Sequence, residues 1–422
     1  MRLGVIADDF TGATDIAGFL VSNGLKTVQL NDVPANDLNI DADAVVISLK
    51  TRSCAPQKAI QESLAALKWL QNRNCEQFFF KYCSTFDSTE KGNIGPVTDA
   101  LLDALDEDFT VICPVLPING RTIYNGYLFV NGVPLNESGM RDHPITPMND
   151  SNIMRVMESQ SRGLAGNVNS NIIDQGVDAV KQAMQDLRSD GKRYAVLDAL
   201  NSKHIEILGQ AVSDMKLVTG GSGLADGMAK AWTDLHGDVA KAEAAGLPLE
   251  GATIVISGSC SQMTNKQVST YKSLAPSYKV DVERAIHDKN YHTEVIEWVL
   301  ANNDQKYAPM VYATMCPDQL KETQSRFGAQ IASDAIEVLF AKLAQSLEQK
   351  GFTRFIVAGG ETSGSVTQAL AIDGFSIGPQ IAPGVPWVRG IGKSLSLALK
   401  SGNFGKEDFF LAAQQITTQK GN

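Results

Sequence analysis

The 422-residue chain carries 37 basic against 47 acidic residues, a formal charge of −10, with 43% hydrophobic and 20% charged side chains. That length exceeds one comfortable core and predicts two domains, and the composition fits an ordinary globular enzyme. The acidic balance argues against a nucleic-acid or anionic-membrane partner, either of which would need a basic face, but not against an anionic substrate held by a few local Lys and Arg.

Helix-period segments alternate with short β-rich runs, the signature of parallel α/β architecture. Leu3–Ala7 reads as a strand that ends on two adjacent carboxylates, Asp8 and Asp9. Side by side at the mouth of a buried strand they repel and cost desolvation, so something must offset them. A bland reading has Asp9 capping the next helix while Asp8 sits exposed. Ala13, Ile16, Ala17, Leu20 and Val21 then share one helical face, which Asn23-Gly24 stops. Strands are expected at Ala44–Ser48, Gln77–Tyr82 and Thr110–Val115, with a helix over Pro56–Asn72. A hairpin is expected over Tyr124–Leu135, turning at Asn131-Gly132, and further strands at Tyr194–Asp198 and Lys216–Thr219. His236–Gly251, rich in Ala and Gly and without strand or core periodicity, reads as a linker. The rhythm restarts at Ala252–Ser257, Pro309–Thr314 and Arg354–Ala358, so the expected division is 1–235, linker 236–251, and 252–422. Six cysteines, Cys54, Cys75, Cys83, Cys113, Cys260 and Cys316, form no CxxC pair and read as reduced thiols. With no basic-then-apolar leader and no apolar stretch near about 18 residues, the expected location is cytoplasmic, away from any membrane.

Four strand ends share one design, an apolar run followed by small and hydroxyl residues and then a helix: Ile6–Asp15, Leu217–Ala225, Ile254–Gln267 and Phe355–Ser365. In open α/β sheets ligands bind beyond the carboxyl ends of strands, where glycines admit backbone N–H groups and helix N-termini favour anions. The last two loops, with Ser257, Gly258, Ser259 and Cys260 in one and Gly359, Gly360, Glu361, Thr362 and Ser363 in the other, look built for phosphate oxygens. Basic, hydroxyl and carboxylate groups gather in the first half: Arg52; Lys81, Asp87, Ser88, Thr89 and Lys91; Asn119, Gly120 and Arg121. Strand ends of a parallel sheet converge on one pocket, and this mixture suits a small polyhydroxy acid. His143 can reach such a site from its loop, while the histidines lack metal-ligand spacing. Three other readings fail. A haloacid-dehalogenase-like site needs a second Asp where Phe10 stands, and a P-loop at Arg389–Ser394 needs Gly where Trp387 stands. No GxGxxG opens either half, which removes a dinucleotide-dependent dehydrogenase.

Together the stretches ADDFTGATD, KYCSTFDSTEKGN, PINGRT, VTGGSGLA, SGSCSQMTNKQV, AGGETSG and ALKSGNFGKEDFF, spanning residues 7 to 410, resemble the four-carbon acid sugar kinase family. The resemblance implies two domains, each a largely parallel sheet flanked by helices, with the active site in the interdomain cleft. The first would bind the sugar acid and the second ATP, with a divalent metal, Mg by expectation, and closure expelling water. The implied reaction is phosphorylation of the 4-hydroxyl of a 3-oxo-tetronate. Threonate or erythronate is the alternative substrate, and a non-catalytic sugar-acid sensor the alternative of another class. The resemblance makes Asp8 or Asp9 the group that polarises the 4-hydroxyl. It adds Thr11 to the acid-binding set, and Gly402 and Asn403 to the nucleotide loops. A homo-oligomer is compatible with the sequence.

Overall fold

Leu3–Ala7 (β1) is buried at all five positions because neighbouring strands flank it on both sides and helices cover its faces. The computed structural model describes residues 3–34, 38, 40–143, 145–233 and 238–417, and the chain divides into units Met1–Ala242 and Glu243–Asn422. The main sheet of the first unit adds β2 (Thr27–Asn31), β3 (Ala44–Ser48), β4 (Gln77–Lys81) and β5 (Thr110–Cys113). A small separate sheet is made by β6 (Arg121–Tyr124), β7 (Tyr127–Val130) and β8 (Val133–Pro134). The main sheet is completed by β9 (Ala165–Val168), β10 (Tyr194–Leu197) and β11 (Leu217–Gly220), in the order β2-β3-β1-β4-β11-β5-β10-β9 with parallel pairing throughout.

The chain leaves β1 toward β2 on one side and leaves β4 toward β5 on the other, so the strand order reverses between β1 and β4. Such a reversal opens a crevice beyond the strand ends. Registers Ala7↔Ser48 and Ala7↔Lys81 bring the ends of β3, β1 and β4 level there.

Three elements of this unit differ from expectation: the strands β2 and β9, and the hairpin; β9 (Ala165–Val168) is a short Gly- and Asn-containing run with no strand pattern of its own. β2 is missing from the sequence reading because Gln29 interrupts its apolar run; in the fold Gln29 is fully buried and its Oε1 accepts from Thr14 Oγ1 at 2.9 Å. The expected hairpin is a three-stranded meander with two Asn-Gly turns, Asn125-Gly126 and Asn131-Gly132. All four turn residues have positive φ (49°, 77°, 52° and 81°), the backbone that matches strand twist.

The second unit contains β12 (Ala252–Ser257), β13 (Ser277–Lys279), β14 (Met310–Tyr312), β15 (Phe352–Ala358), β16 (Gly374–Ala382), β17 (Val385–Gly390) and β18 (Ser396–Lys400). Their order is β13-β14-β12-β15-β18-β17-β16; the first five run parallel, while β17 and β16 join antiparallel. The segment Arg389–Ser394 therefore turns between two antiparallel strands rather than between a strand and a helix. Trp387 on β17 anchors this core, stacked under the Arg354 guanidinium at 5.0 Å, with Phe409 and Phe410 of the Phe409–Gln415 helix packed into the same cluster.

Within the expected linker, residues 236 and 237 lie outside the described set and Val239–Ala244 is a short helix. All six cysteines are free, and among the described residues no helix is long and apolar enough to cross a membrane.

Candidate active site

Arg52 is what offsets the adjacent carboxylates. It donates through Nε to Asp8 Oδ2 at 2.9 Å and through Nη2 to Asp8 Oδ1 at 2.8 Å, and the same Nη2 reaches Asp9 Oδ1 at 2.6 Å. This planar fork on a carboxylate is the strongest side-chain ion pair available. Asp8 is accordingly buried rather than exposed, and its backbone oxygen accepts from Thr51 N and Arg52 N, which ties the β3 end to the β1 end. Arg52 spends two of its three nitrogens on protein carboxylates, leaving Nη1 for a ligand.

Asp9 has a different environment. It caps the Phe10–Ser22 helix, Oδ1 accepting from Gly12 N at 2.9 Å, so the capping half of the bland reading also holds. Burial pushes its carboxyl above the ordinary value; Arg52 opposes this, Asp8 adds to it, and Lys81 with the Gly12 N–H opposes it further. Asp9 Oδ2 takes no donor among the described residues. One carboxylate is thus neutralised and locked, while the other keeps a free oxygen and a raised proton affinity.

Lys81, the last residue of β4, is buried and donates from Nζ to Tyr82 O at 2.9 Å. Its charge also acts on Asp15, one of two groups that sequence reasoning missed. Burial raises the Asp15 carboxyl, with Lys81 and a hydrogen bond from Ser222 Oγ opposing the rise. The sequence signal existed: Asp15 closes the stretch ADDFTGATD, and Ser222 opens the helix after β11. Cys83 accepts from Asp87 N at 3.1 Å in the loop after β4, its thiol pushed up to about 12 by burial against the opposing Arg52 charge, so it stays protonated at neutral pH.

Gly12 sits in the middle of the cluster. A methyl at its Cβ position would lie 2.5 Å from Asp9 Oδ1 and 3.0 Å from Lys81 Nζ. Gly12→Ala is therefore expected to displace the Asp9 carboxylate and lower kcat by about 10²-fold, the cost of a roughly 1 Å misplacement of a reacting group. Turnover and the melting temperature, measured together, separate this from simple unfolding. Unchanged turnover in a folded variant would remove Asp9 from the chemistry.

The other expected acid-binding residues divide. Thr11 is half-buried in the first turn of the Phe10–Ser22 helix. Asp87 accepts from Thr85 Oγ1 at 2.6 Å in the loop after β4, and Thr89 lies two residues on, half-buried. Asn119 ends a short 3-10 turn, Pro117–Asn119, which Gly120 closes, and Arg121 Nη1 donates back to Asn119 O. The Arg121 Nε is buried without a partner. Ser88 is turned away from any ligand: it is fully buried, donating to Gln160 Oε1 at 2.6 Å and accepting from Ile94 N. His143 Nδ1 is occupied within its own loop by Thr146 N and Oγ1.

In the second unit the three glycine loops interlock at the ends of β12, β15 and β18. A Cβ on Gly258 would stand 2.1 Å from Thr362 Oγ1, and one on Gly402 would stand 2.8 Å from Ser259 Oγ. Gly359 has φ 129°, a backbone open to glycine and strained for any other residue, and donates its N–H to Lys400 O. Gly258, Ser259, Cys260 and Gly359–Thr362 form one wall of a cavity of about 410 Å³; Val282, Met315, Leu320, Ala332 and Ile336 supply an apolar wall. Polar N–H loops beside an apolar slot suit a nucleotide, phosphates at one end and base at the other. Ser363, just inside the helix that follows Gly359, is buried with its Oγ unpartnered. Ser257 is not available in the same way: it is fully buried, its hydroxyl paired with Thr314 Oγ1 at 2.7 Å. Asn403 accepts from Met263 N at 3.5 Å, and Glu361 accepts from Ser333 Oγ at 3.3 Å at the cavity edge.

Residues 3–228 match the family described as a sugar-binding N-terminal domain, and residues 254–410 the family described as a nucleotide-binding C-terminal domain. Fold and site thus define a two-domain α/β protein that pairs a sugar site with a nucleotide site. The chain belongs to the four-carbon acid sugar kinase family. It is 73% identical over 423 residues to the 3-oxo-tetronate kinase of Brucella melitensis, covering 100% of this chain and 97% of that one. It is 57% identical to the 3-oxo-tetronate kinase of Escherichia coli, over 91% of this chain and 99% of that one. Two solved structures agree along the chain: a Haemophilus influenzae protein (TM-score 0.91, 57% identity) and a Salmonella typhimurium protein (TM-score 0.94, 56% identity). Each match covers 98% of this chain and 99% of the other.

Proposed function

We infer that this protein is an ATP-dependent kinase that phosphorylates the 4-hydroxyl of 3-oxo-tetronate. The observation that carries the reading is the identity of 73%, end to end, with a relative named for that activity. The geometry supplies a mechanism. The acid's 4-oxygen attacks the terminal phosphorus of ATP, the bond to the bridging oxygen breaks, and the hydroxyl proton passes to Asp9 Oδ2. Such transfer needs alignment and charge stabilisation more than covalent help. Asp8 with Arg52 holds Asp9 in place, while Lys81 and Arg52 Nη1 offer positive charge to the acid. Arg121 beside Asn119 is a third cationic group for the acid. The Gly258–Cys260 and Gly359–Ser363 loops would hold the nucleotide phosphates.

Among the described residues no group of three or more His, Cys, Asp or Glu gathers for a metal. Glu337 and Glu361 both line the nucleotide cavity and are joined through Ser333. One or two carboxylates with substrate phosphates and water are what Mg²⁺ ordinarily takes, so these residues fit it. When bound, the ion would neutralise charge on the phosphates.

The test is competition between the oxo acid and reduced threonate or erythronate at limiting ATP, with products weighed by mass spectrometry. A carbonyl only accepts hydrogen bonds, whereas a hydroxyl brings a proton and a tetrahedral centre. A donor aimed at the planar carbonyl loses its alignment with either reduced acid, so the oxo product should dominate by about 10²-fold or more. Equal products would widen the substrate to four-carbon acids in general; no phosphorylated acid would overturn the kinase reading.

A further inference from the structure

Among the buried charges outside this mechanism, one adjoins the nucleotide loops. Lys400, the last residue of β18, is 1% exposed. Its Nζ donates to Thr264 Oγ1 at 2.9 Å, Ser401 O at 3.2 Å and Gly402 O at 2.9 Å, which uses all three ammonium protons. Thr264 Oγ1 also donates to Gly402 O at 2.7 Å, and Thr264 N donates to Ser261 Oγ, the cap of the Gln262–Lys272 helix. Lys400 therefore fastens the Ser401–Asn403 turn to the start of the helix that carries the Gly258–Cys260 loop. Among the described residues no carboxylate forms an ion pair with Lys400, whose other neighbour is the Phe409 ring at 5.9 Å.

A lysine buried among neutral oxygens is costly unless a negative charge comes close. Burial alone pulls its pKa down to about 8. The charged residues on the elements packed around it are Lys266, Lys272, Lys406, Glu407, Asp408 and Glu361, all on exposed positions; Lys266 and Glu407 pair with each other at 3.2 Å. Arg354 and Arg389 lie toward the opposite ends of β15 and β17, level with Ser396 rather than with Lys400.

We propose that Lys400 is a positioning residue for the nucleotide, its ammonium fastening two phosphate loops together and its uncompensated charge coupling nucleotide affinity to its own protonation. The proposal rests on the kinase reading above. Linkage sets the sign: phosphate near Lys400 raises its proton affinity, so the protonated protein binds ATP more tightly. ATP above pH 7.5 no longer changes its own charge in the range that matters. The KM for ATP should thus be flat below pH 8 and rise above it, approaching tenfold per pH unit, while the KM for the acid stays level.

The experiment measures both KM values from pH 6.5 to 9.5 for the full chain and for Lys400→Met and Lys400→Arg. Lys400→Met should raise the ATP KM at pH 7 at least tenfold and remove its rise above pH 8. Lys400→Arg, charged throughout, should keep a KM closer to the original and show no rise. Should Lys400→Met not fold, titration calorimetry of the unaltered protein at pH 8 in two buffers of different ionisation enthalpy should show proton uptake on ATP binding. A rise that survives in Lys400→Arg, or binding without proton uptake, overturns the proposal. Absence of any ATP-dependent turnover in the unaltered protein would instead overturn the kinase reading.

Discussion

Asp9→Asn lowers kcat by about 10²–10⁴-fold, the range for removing a general base, and leaves both KM values within a few fold. The side chain keeps its shape, its cap on Gly12 N and an oxygen for Arg52 Nη2, so the proton acceptor is lost together with the charge that faces Arg52. The unaltered enzyme should also lose activity toward acid, as Asp9 takes up a proton. Because burial raises this carboxyl, the loss should begin at a higher pH than for an ordinary aspartate. That limb should be absent from the residual activity of Asp9→Asn. Asp8→Asn should behave differently: Arg52 loses its bidentate partner, and melting temperature falls along with activity. Equal kinetic loss in the two variants, with neither destabilised, would mean that Asp9 has no separate role.

Gly258→Ala raises the KM for ATP by about 10–100-fold, the equivalent of one or two charge-assisted hydrogen bonds to phosphate. The new methyl would lie 2.1 Å from Thr362 Oγ1 and 3.3 Å from Phe340 Cε2, so the β12 loop and the helix after Gly359 must separate. The acid's KM should stay unchanged, since every atom displaced belongs to the nucleotide unit. Steady-state kinetics with each substrate varied in turn decides the matter. A raised acid KM with ATP unaffected would place the nucleotide elsewhere.

Much of this was legible before any coordinates. β1, β3 and β12 begin and end where their apolar runs do, because a strand buried on both faces needs an unbroken run and a small or polar residue ends it. The β16–β17 antiparallel pair was not legible: Gly374–Ala382 contains Gly378 and Pro379, which read as punctuation, and only pairing with β17 makes it a strand. Residue type announced the site better than orientation did. Ser88 and Ser257 sit in two of the loops singled out from the sequence, yet their hydroxyls face the interior and are paired there. Conversely, Asp15 with Ser222 and Lys400 with Thr264 are joined across 207 and 136 positions, and no local pattern reports such a meeting.

The fork of Arg52 on Asp8 also bears on how this chain can change over generations. Removing Arg52 leaves the buried Asp8 carboxylate without its counter-charge beside Asp9, a loss below the roughly 3–5 kcal/mol of a fully buried pair because the Arg52 side chain is 26% exposed. Total stability of a domain is only about 5–15 kcal/mol, so a lineage that altered Arg52 first would pass through a markedly less stable ancestor. Double replacement by apolar residues removes that charge penalty, but the two codons lie 44 positions apart and change independently. The pair is thus held by a barrier between sequences, separate from any selection on the reaction, and a substitution at either position should appear only alongside its counterpart.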